Sequence, residues 1–273
     1  MIIFRMLWRR VVSSLLLLCV LGCAMSDYEA RIDAQRKRLD TYDEENRLLG
    51  DAIEPPVHKG KKGHPVDSWP FSVYLRLPRE VLGDFHEKNQ YQFQDLPLFR
   101  YSGREGVNVF VAAGLISGKK DDKSKEGKAK EGKARPTEWS VDTFRDYVRG
   151  ALIEFYRKEH KGAVDFPTFD RGRFQKMEKQ PISELGTPLP AISFDAMAFT
   201  DDTNRFVKEH SLFQAYFYQS GNQQLAIIFQ SPLASKSDEN LIKTVDWSLK
   251  SLEIGPNAVT KRYTLLNRKQ RKA

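Results

Sequence analysis

Cysteine is nearly absent. The 273-residue chain has two, Cys19 and Cys23, too few for a disulfide framework or a Cys-rich zinc module. The five histidines, His58, His64, His86, His160 and His210, form no pair with another His or Cys at metal-ligand spacing. His58 and His64 bracket a Lys/Gly stretch whose cations repel a divalent ion. Serine-hydrolase elbows, zinc-peptidase helices, phosphate loops and dinucleotide fingerprints are all missing, so no metal or other cofactor is expected. Uniform basic charge is missing too. The net charge of +8 divides as +3 from Arg5, Arg9 and Arg10, +4 from the run 119–135, +6 from residues 261–273, and −5 from the remainder. The body is slightly acidic, which argues against nucleic acid as a partner.

What is present begins at the N-terminus. Three arginines precede Val11–Ser26, a stretch of 16 uncharged residues, short of the roughly 20 needed to span a bilayer as a helix. A basic n-region, a short apolar h-region and a small residue at a cut site read as an export signal. Val20–Leu21–Gly22–Cys23 resembles the bacterial lipobox, with Val20 and Leu21 in place of the more usual Leu and small residue. The resemblance implies a signal peptide over 1–22, diacylglycerol on the Cys23 thiol, and palmitate-type acylation of the new amino group. An ordinary cleaved signal and an uncut signal anchor are the alternatives. Several acyl chains anchor a protein stably where one does not. Ala24, not Asp, follows Cys23. By analogy with lipoprotein sorting, this favours the periplasmic face of the outer membrane over the inner membrane.

Residues 23–54 are expected to be a membrane-proximal helix. Ser26 and Glu29 fit a capping box. Tyr28, Ile32, Gln35, Leu39, Tyr42, Asn46 and Leu49 recur at alternating four- and three-residue spacings, a short coiled-coil seam. The seam suits self-association through 27–53 or a partner helix; a lone charged stalk fits it as well. Pro55–Pro56 ends the helix, and 55–68 reads as a linker.

Residues 69–256 hold the dense apolar pattern of one α+β domain. Strands are expected at 71–77, 98–101, 107–116, 192–200, 212–219 and 224–230, the last two joined by a tight turn at Ser220–Gly221–Asn222. One amphipathic helix is expected from Trp139 to about His160, with Val141, Phe144, Val148, Leu152 and Phe155 on one face. Another follows Ser235 or Ser237 as cap, with Leu241, Val245, Leu249 and Leu252 on one face. The segment 163–192 reads as loop. Residues 119–135 carry no apolar side chain larger than alanine, so they cannot offset their ordering entropy and are expected to be a disordered insertion. Residues 257–273 form a basic tail, suited to anionic envelope polymers or to simple solubility.

A strand, a tight turn, an Ile/Phe-rich strand and a last helix ending Trp247–Ser248–Leu249–Lys250–Ser251–Leu252 resemble the closing unit of the PsbP/DcrB/Mog-like families. There a Ser-Phe pair commonly ends the helix; Ser251–Leu252 stands at that place. Trp69–Leu77 leading into Pro78–Arg79–Glu80 is similar to the families' opening strand. The resemblance implies an antiparallel sheet flanked by helices, an α/β sandwich, and no single function.

In the hairpin, alternation sets Phe213, Ala215 and Phe217 on one face and Tyr216 and Tyr218 on the other. The first set reads as core. The tyrosines are the candidate partner-binding residues, since tyrosine is enriched at interfaces, though a helix-covered face accounts for them too. The expected function is a non-enzymatic cell-envelope lipoprotein binding an envelope protein. The alternative is an envelope hydrolase with a site in the 163–203 loops, drawing on Asp165, Asp170, Asp201 or the nearby His210.

Overall fold

The computed structural model describes residues 28–37, 39–41, 43–53, 57–59, 65–67, 69–79, 81, 90–93, 96–103, 106–116, 138–160, 166–169, 171–180, 190–201, 210–235 and 238–255. Cys23, the insertion 119–135 and the tail 257–273 lie outside them. Two compact units are present, residues 1–46 and 47–273. The first is helical over 28–37, 39–41 and 43–46 (α1), with Tyr28 and Leu39 of the seam exposed. Among the described residues no helix is long and apolar enough to cross a membrane.

The second unit opens earlier than the sequence suggests. Helical backbone ends at residue 48, and Leu49–Ala52 is a strand, β1. The seam's last member, Leu49, is therefore not on a helix; it is 2% exposed in the core, beside buried Leu48 and Ile53. Strand formation wins because β1 pairs with β5 (Arg76–Pro78). Arg76 also donates from Nε and Nη2 to the carbonyls of Gly50 and Leu49 at 3.1 and 3.0 Å. Within the stretch read as linker, β2 (Val57–Lys59) and β3 (Pro65–Asp67) form an antiparallel pair.

The main sheet has eight strands. In chain order they are β6 (Gln90–Phe93), β7 (Leu96–Ser102), β8 (Asn108–Ile116), β9 (Glu138–Trp139), β10 (Gln175–Lys179), β11 (Ile192–Thr200), β12 (Ser211–Ser220) and β13 (Gln223–Pro232). The path β10-β11-β12-β13-β8-β7-β6 is antiparallel throughout, and β9 adds one short parallel pairing to β8. β12 and β13 join through Gly221–Asn222, with Ser220 opposite Gln223. Gly221 takes φ 55, the left-handed conformation that a two-residue hairpin loop requires.

Each face of the sheet is covered. Over one lies α2 (Val141–His160), started by Ser140, whose Oγ accepts from Thr143 N at 3.1 Å. Its Phe144, Val148, Leu152 and Phe155 meet Phe110, Ala112, Phe213, Ala215, Phe217, Ala226 and Ile228 of the sheet. Over the other lies α3 (Glu239–Lys250), whose N-cap is Asp238 rather than a serine. Val245, Leu249 and the following Leu252 pack with Val109, Val111, Ile227 and Phe229, and with the opening strands β4 (Val73–Tyr74) and β5. Leu241 is only half-buried. After α3, Glu253–Ile254 (β14) pairs with β4. The architecture is α+β, a mostly antiparallel sheet between helical layers, in agreement with the class expected from the pattern.

The 163–192 segment is less loop-like than expected. It supplies edge strand β10, and Phe166 and Phe169 are core residues, 1% and 3% exposed. Arg149 of α2 holds that stretch by donating from Nε to the carbonyls of Phe166 and Pro167 at 2.9 and 3.0 Å.

Candidate functional site

Where α2 begins, it meets the hairpin end of the sheet. A cleft of about 200 Å³ opens there, bordered by Val141, Phe144 and Arg145 of α2, Lys176 of β10, Ser193 and Asp195 of β11, Phe217 to Gln219 of β12, Gly221 of the turn, and Gln224 of β13. Register explains the assembly. Lys176 lies opposite Asp195, Asp195 opposite Phe217, and Gln219 opposite Gln224. Side chains in one such row share a face, here the face under α2.

Arg145 is a buried cation, 4% exposed. It lies one turn after Val141, so it points down with Phe144 rather than out. Its guanidinium sits over the rings of Phe174 and Phe217, at 4.4 and 5.5 Å from their centroids, and donates from Nη2 to Asp195 Oδ2. Lys176 Nζ holds the other oxygen, Oδ1, at 2.5 Å. Burial alone would raise the Asp195 pKa. The bonds from Lys176 and Arg145 outweigh it and hold the carboxyl below its ordinary value. A carboxylate so held is a poor general base, which needs a pKa near the working pH, and a good fixed partner for a buried guanidinium.

Gln224 is the second unusual residue. It is 2% exposed, and neither Oε1 nor Nε2 has a hydrogen-bond partner; Arg145 Nε also lacks one. Buried polar atoms are nearly always satisfied, so these three mark a place where the protein's own packing leaves polar capacity unused. The arrangement can grip a polar group; it presents no activated nucleophile beside a base.

The residues singled out from sequence distribute differently. Tyr216 is 8% exposed on the face under α3, its ring 6.1 Å from Phe194 and 5.9 Å from Phe229. Burial, with the Asp246 charge second, pushes its phenol up to about 12. It packs in the core cluster that includes Val245 and Leu249 of α3. Tyr218 is half-buried and borders the cleft. Asp201 is fully buried and closes the β11–β12 connection. Its Oδ1 accepts from Ser211 N at 2.6 Å, and His210 Nδ1 lies 3.1 Å from its carbonyl oxygen. Neither lines the cleft. Asp165 and Asp170 lie outside the described residues. Among the described residues no three His, Cys, Asp or Glu gather as a metal site. Arg145, Asp195 and Gln224 escaped sequence reading. The one available signal was Gln224 itself, a polar residue in phase with inward-facing Ala226 and Ile228.

No protein-family model matches the chain, and no curated protein matches it. Among solved structures, a crystal structure from Bacteroides thetaiotaomicron VPI-5482 is similar over 74% of this chain and 48% of that one, at 10% identity and a TM-score of 0.32. The chain thus spans about half the length of that protein, and a likeness of this degree carries no functional argument.

Proposed function

We propose that the protein is a cell-envelope lipoprotein, anchored through acylated Cys23 at the periplasmic face of the outer membrane, and that its α+β domain works by binding an envelope partner rather than by catalysis. The observation that carries the reading is the order of residues 5–23: three arginines, a short apolar run, then Gly22–Cys23. A thiol beside glycine at the membrane surface is open to a lipid transferase, while Cys19 lies inside the apolar run. Binding is favoured over hydrolysis because the two described aspartates of the 163–203 region serve structure: Asp195 is clamped by two cations, and Asp201 by Ser211 N.

The PsbP/DcrB/Mog-like kinship belongs to the same proposal. It is supported by the way the closing helix docks. Ser251 Oγ accepts from Arg76 N at 2.8 Å and donates to the Ser248 carbonyl at 2.6 Å, and Ser248 Oγ donates to the Arg76 carbonyl at 2.6 Å. The serine ending the helix thus ties it to the opening strand, a reason for a serine at that place.

The test is metabolic labelling with an alkyne palmitate analogue. Cys23→Ser abolishes labelling and leaves an uncleaved precursor; Cys19→Ser changes neither. Labelling that survives Cys23→Ser removes the anchor and the reading with it.

A further inference from the structure

We propose that the cleft between α2 and the hairpin end of the sheet binds a neutral acetamido group, the –NH–CO–CH₃ unit shared by N-acetylated sugars and N-acetylated peptides. The inference deepens the binding role proposed above and rests on it only for the claim that the domain is a binder.

Three unused polar atoms set the ligand chemistry. Gln224 offers one acceptor, Oε1, and one donor, Nε2, side by side; Arg145 offers a further donor at Nε, and none has a partner in the protein. An amide supplies the complement in one planar unit. Its N–H donates to Oε1, and its carbonyl accepts from Nε2 or Nε. A simple anion can only accept and leaves Oε1 orphaned, a costly state for a buried group.

Charge points the same way. The cleft holds Arg145 and Lys176 against Asp195, and both cations already contact that carboxylate. An incoming anion must face Asp195 or displace it, whereas a neutral group need do neither. Val141, Phe144 and Phe217 supply apolar surface for the methyl. The volume, about 200 Å³, suits a group of monosaccharide or dipeptide size. At the mouth, Gly221 is open: apart from its chain neighbours, no atom lies within 4 Å of where a side chain would begin.

Packing does not account for Gln224. In the neighbouring row of the same face stand Ala226 and Ala112, with Ile228 and Phe110 beyond them. An apolar residue of Gln's shape would fill the position without leaving unpaired atoms. Keeping a glutamine there fits a role in recognition.

The experiment is saturation-transfer NMR on the full-length protein in detergent micelles, whether or not Cys23 is acylated. The probes are N-acetylglucosamine and N-acetylalanine methylamide, with glucose and acetate as controls. The acetamido methyl protons of at least one probe are expected to receive the strongest saturation, and the controls none; which probe responds identifies the source of the group. Gln224→Met keeps the side-chain length, loses both polar atoms, and is expected to weaken the effect about tenfold or more while the thermal midpoint holds or rises. Ser193→Tyr, at an exposed position on the cleft rim, is expected to block binding without touching the core, and serves should Gln224→Met fail to fold. Absence of saturation for both probes overturns the proposal, as does equal saturation of acetate or glucose. Unchanged saturation in folded Gln224→Met overturns it too.

Discussion

Replacing Leu249 by alanine tests how the closing helix holds the domain together. Leu249 is fully buried in the cluster that joins α3 to the opening strands and to the sheet. Large-to-small changes at such sites cost about 2–5 kcal/mol, more where the surroundings cannot collapse into the space. Here they are pinned. One residue before, Ser248 bonds to the Arg76 carbonyl; two residues after, Ser251 accepts from the Arg76 amide. Helix and strand cannot easily move together, so the upper half of the range applies, about 4 kcal/mol. The control is Lys250→Ala. Lys250 points outward, with an ion pair to Asp246 at 2.7 Å and its ammonium 5.4 Å from the Trp247 ring centroid. Such a half-buried pair four residues apart, still open to water, is worth only about 0.5 kcal/mol. Both changes leave helix propensity nearly untouched, so the contrast isolates docking. Urea titration should show Leu249→Ala lowering the midpoint by about 1–2 M with an unchanged slope, against a few tenths for Lys250→Ala. Small and equal shifts would refute the reasoning: the helix would not be docked, and the layered fold and the proposed PsbP-like kinship would fall together.

Two further outcomes follow from the same geometry. A chain begun at residue 66 instead of 47 loses β1 and the buried side chains of Leu48, Leu49 and Ile53; at about 1.5–3 kcal/mol for each buried side chain, it should unfold at markedly lower temperature, and an unchanged midpoint in a melting scan would place β1 outside the domain. Asp195→Asn should cost about 3 kcal/mol by leaving Arg145 buried beside a neutral partner, and should also flatten the acid limb of stability. Since the folded-state pKa of Asp195 is depressed, its contribution is present above about pH 4 and is lost as pH falls through the lowered value; an identical acid limb in stability measured against pH argues that the clamp is not formed.

Sequence by itself determined whatever rests on local pattern. Period-two runs located β11, β12 and β13 to within a residue or two, and alternation divided Phe213, Ala215 and Phe217 from Tyr216 and Tyr218 correctly between the two faces. The spacing of Val141, Phe144, Val148, Leu152 and Phe155 located α2, because one buried stripe is all that a two-sided helix requires. Tertiary structure decided the rest. Helical spacing continued through Leu49, yet that residue is in a strand, because pairing with Arg76–Pro78 and the reach of the Arg76 guanidinium outweigh local preference. Alternation left the face of Tyr216 open between a partner surface and a helix-covered one, and only the docked α3 makes that residue core. Phe166 and Phe169 read as loop, yet lie under α2, because Arg149 collects carbonyls that no periodicity announces. The cleft was the least legible of all. Arg145, Asp195, Lys176 and Gln224 come from four separate elements, brought together by the register of three strand pairings and one helix crossing. A single chain pattern carries no record of such a meeting, beyond one glutamine out of keeping with its apolar row.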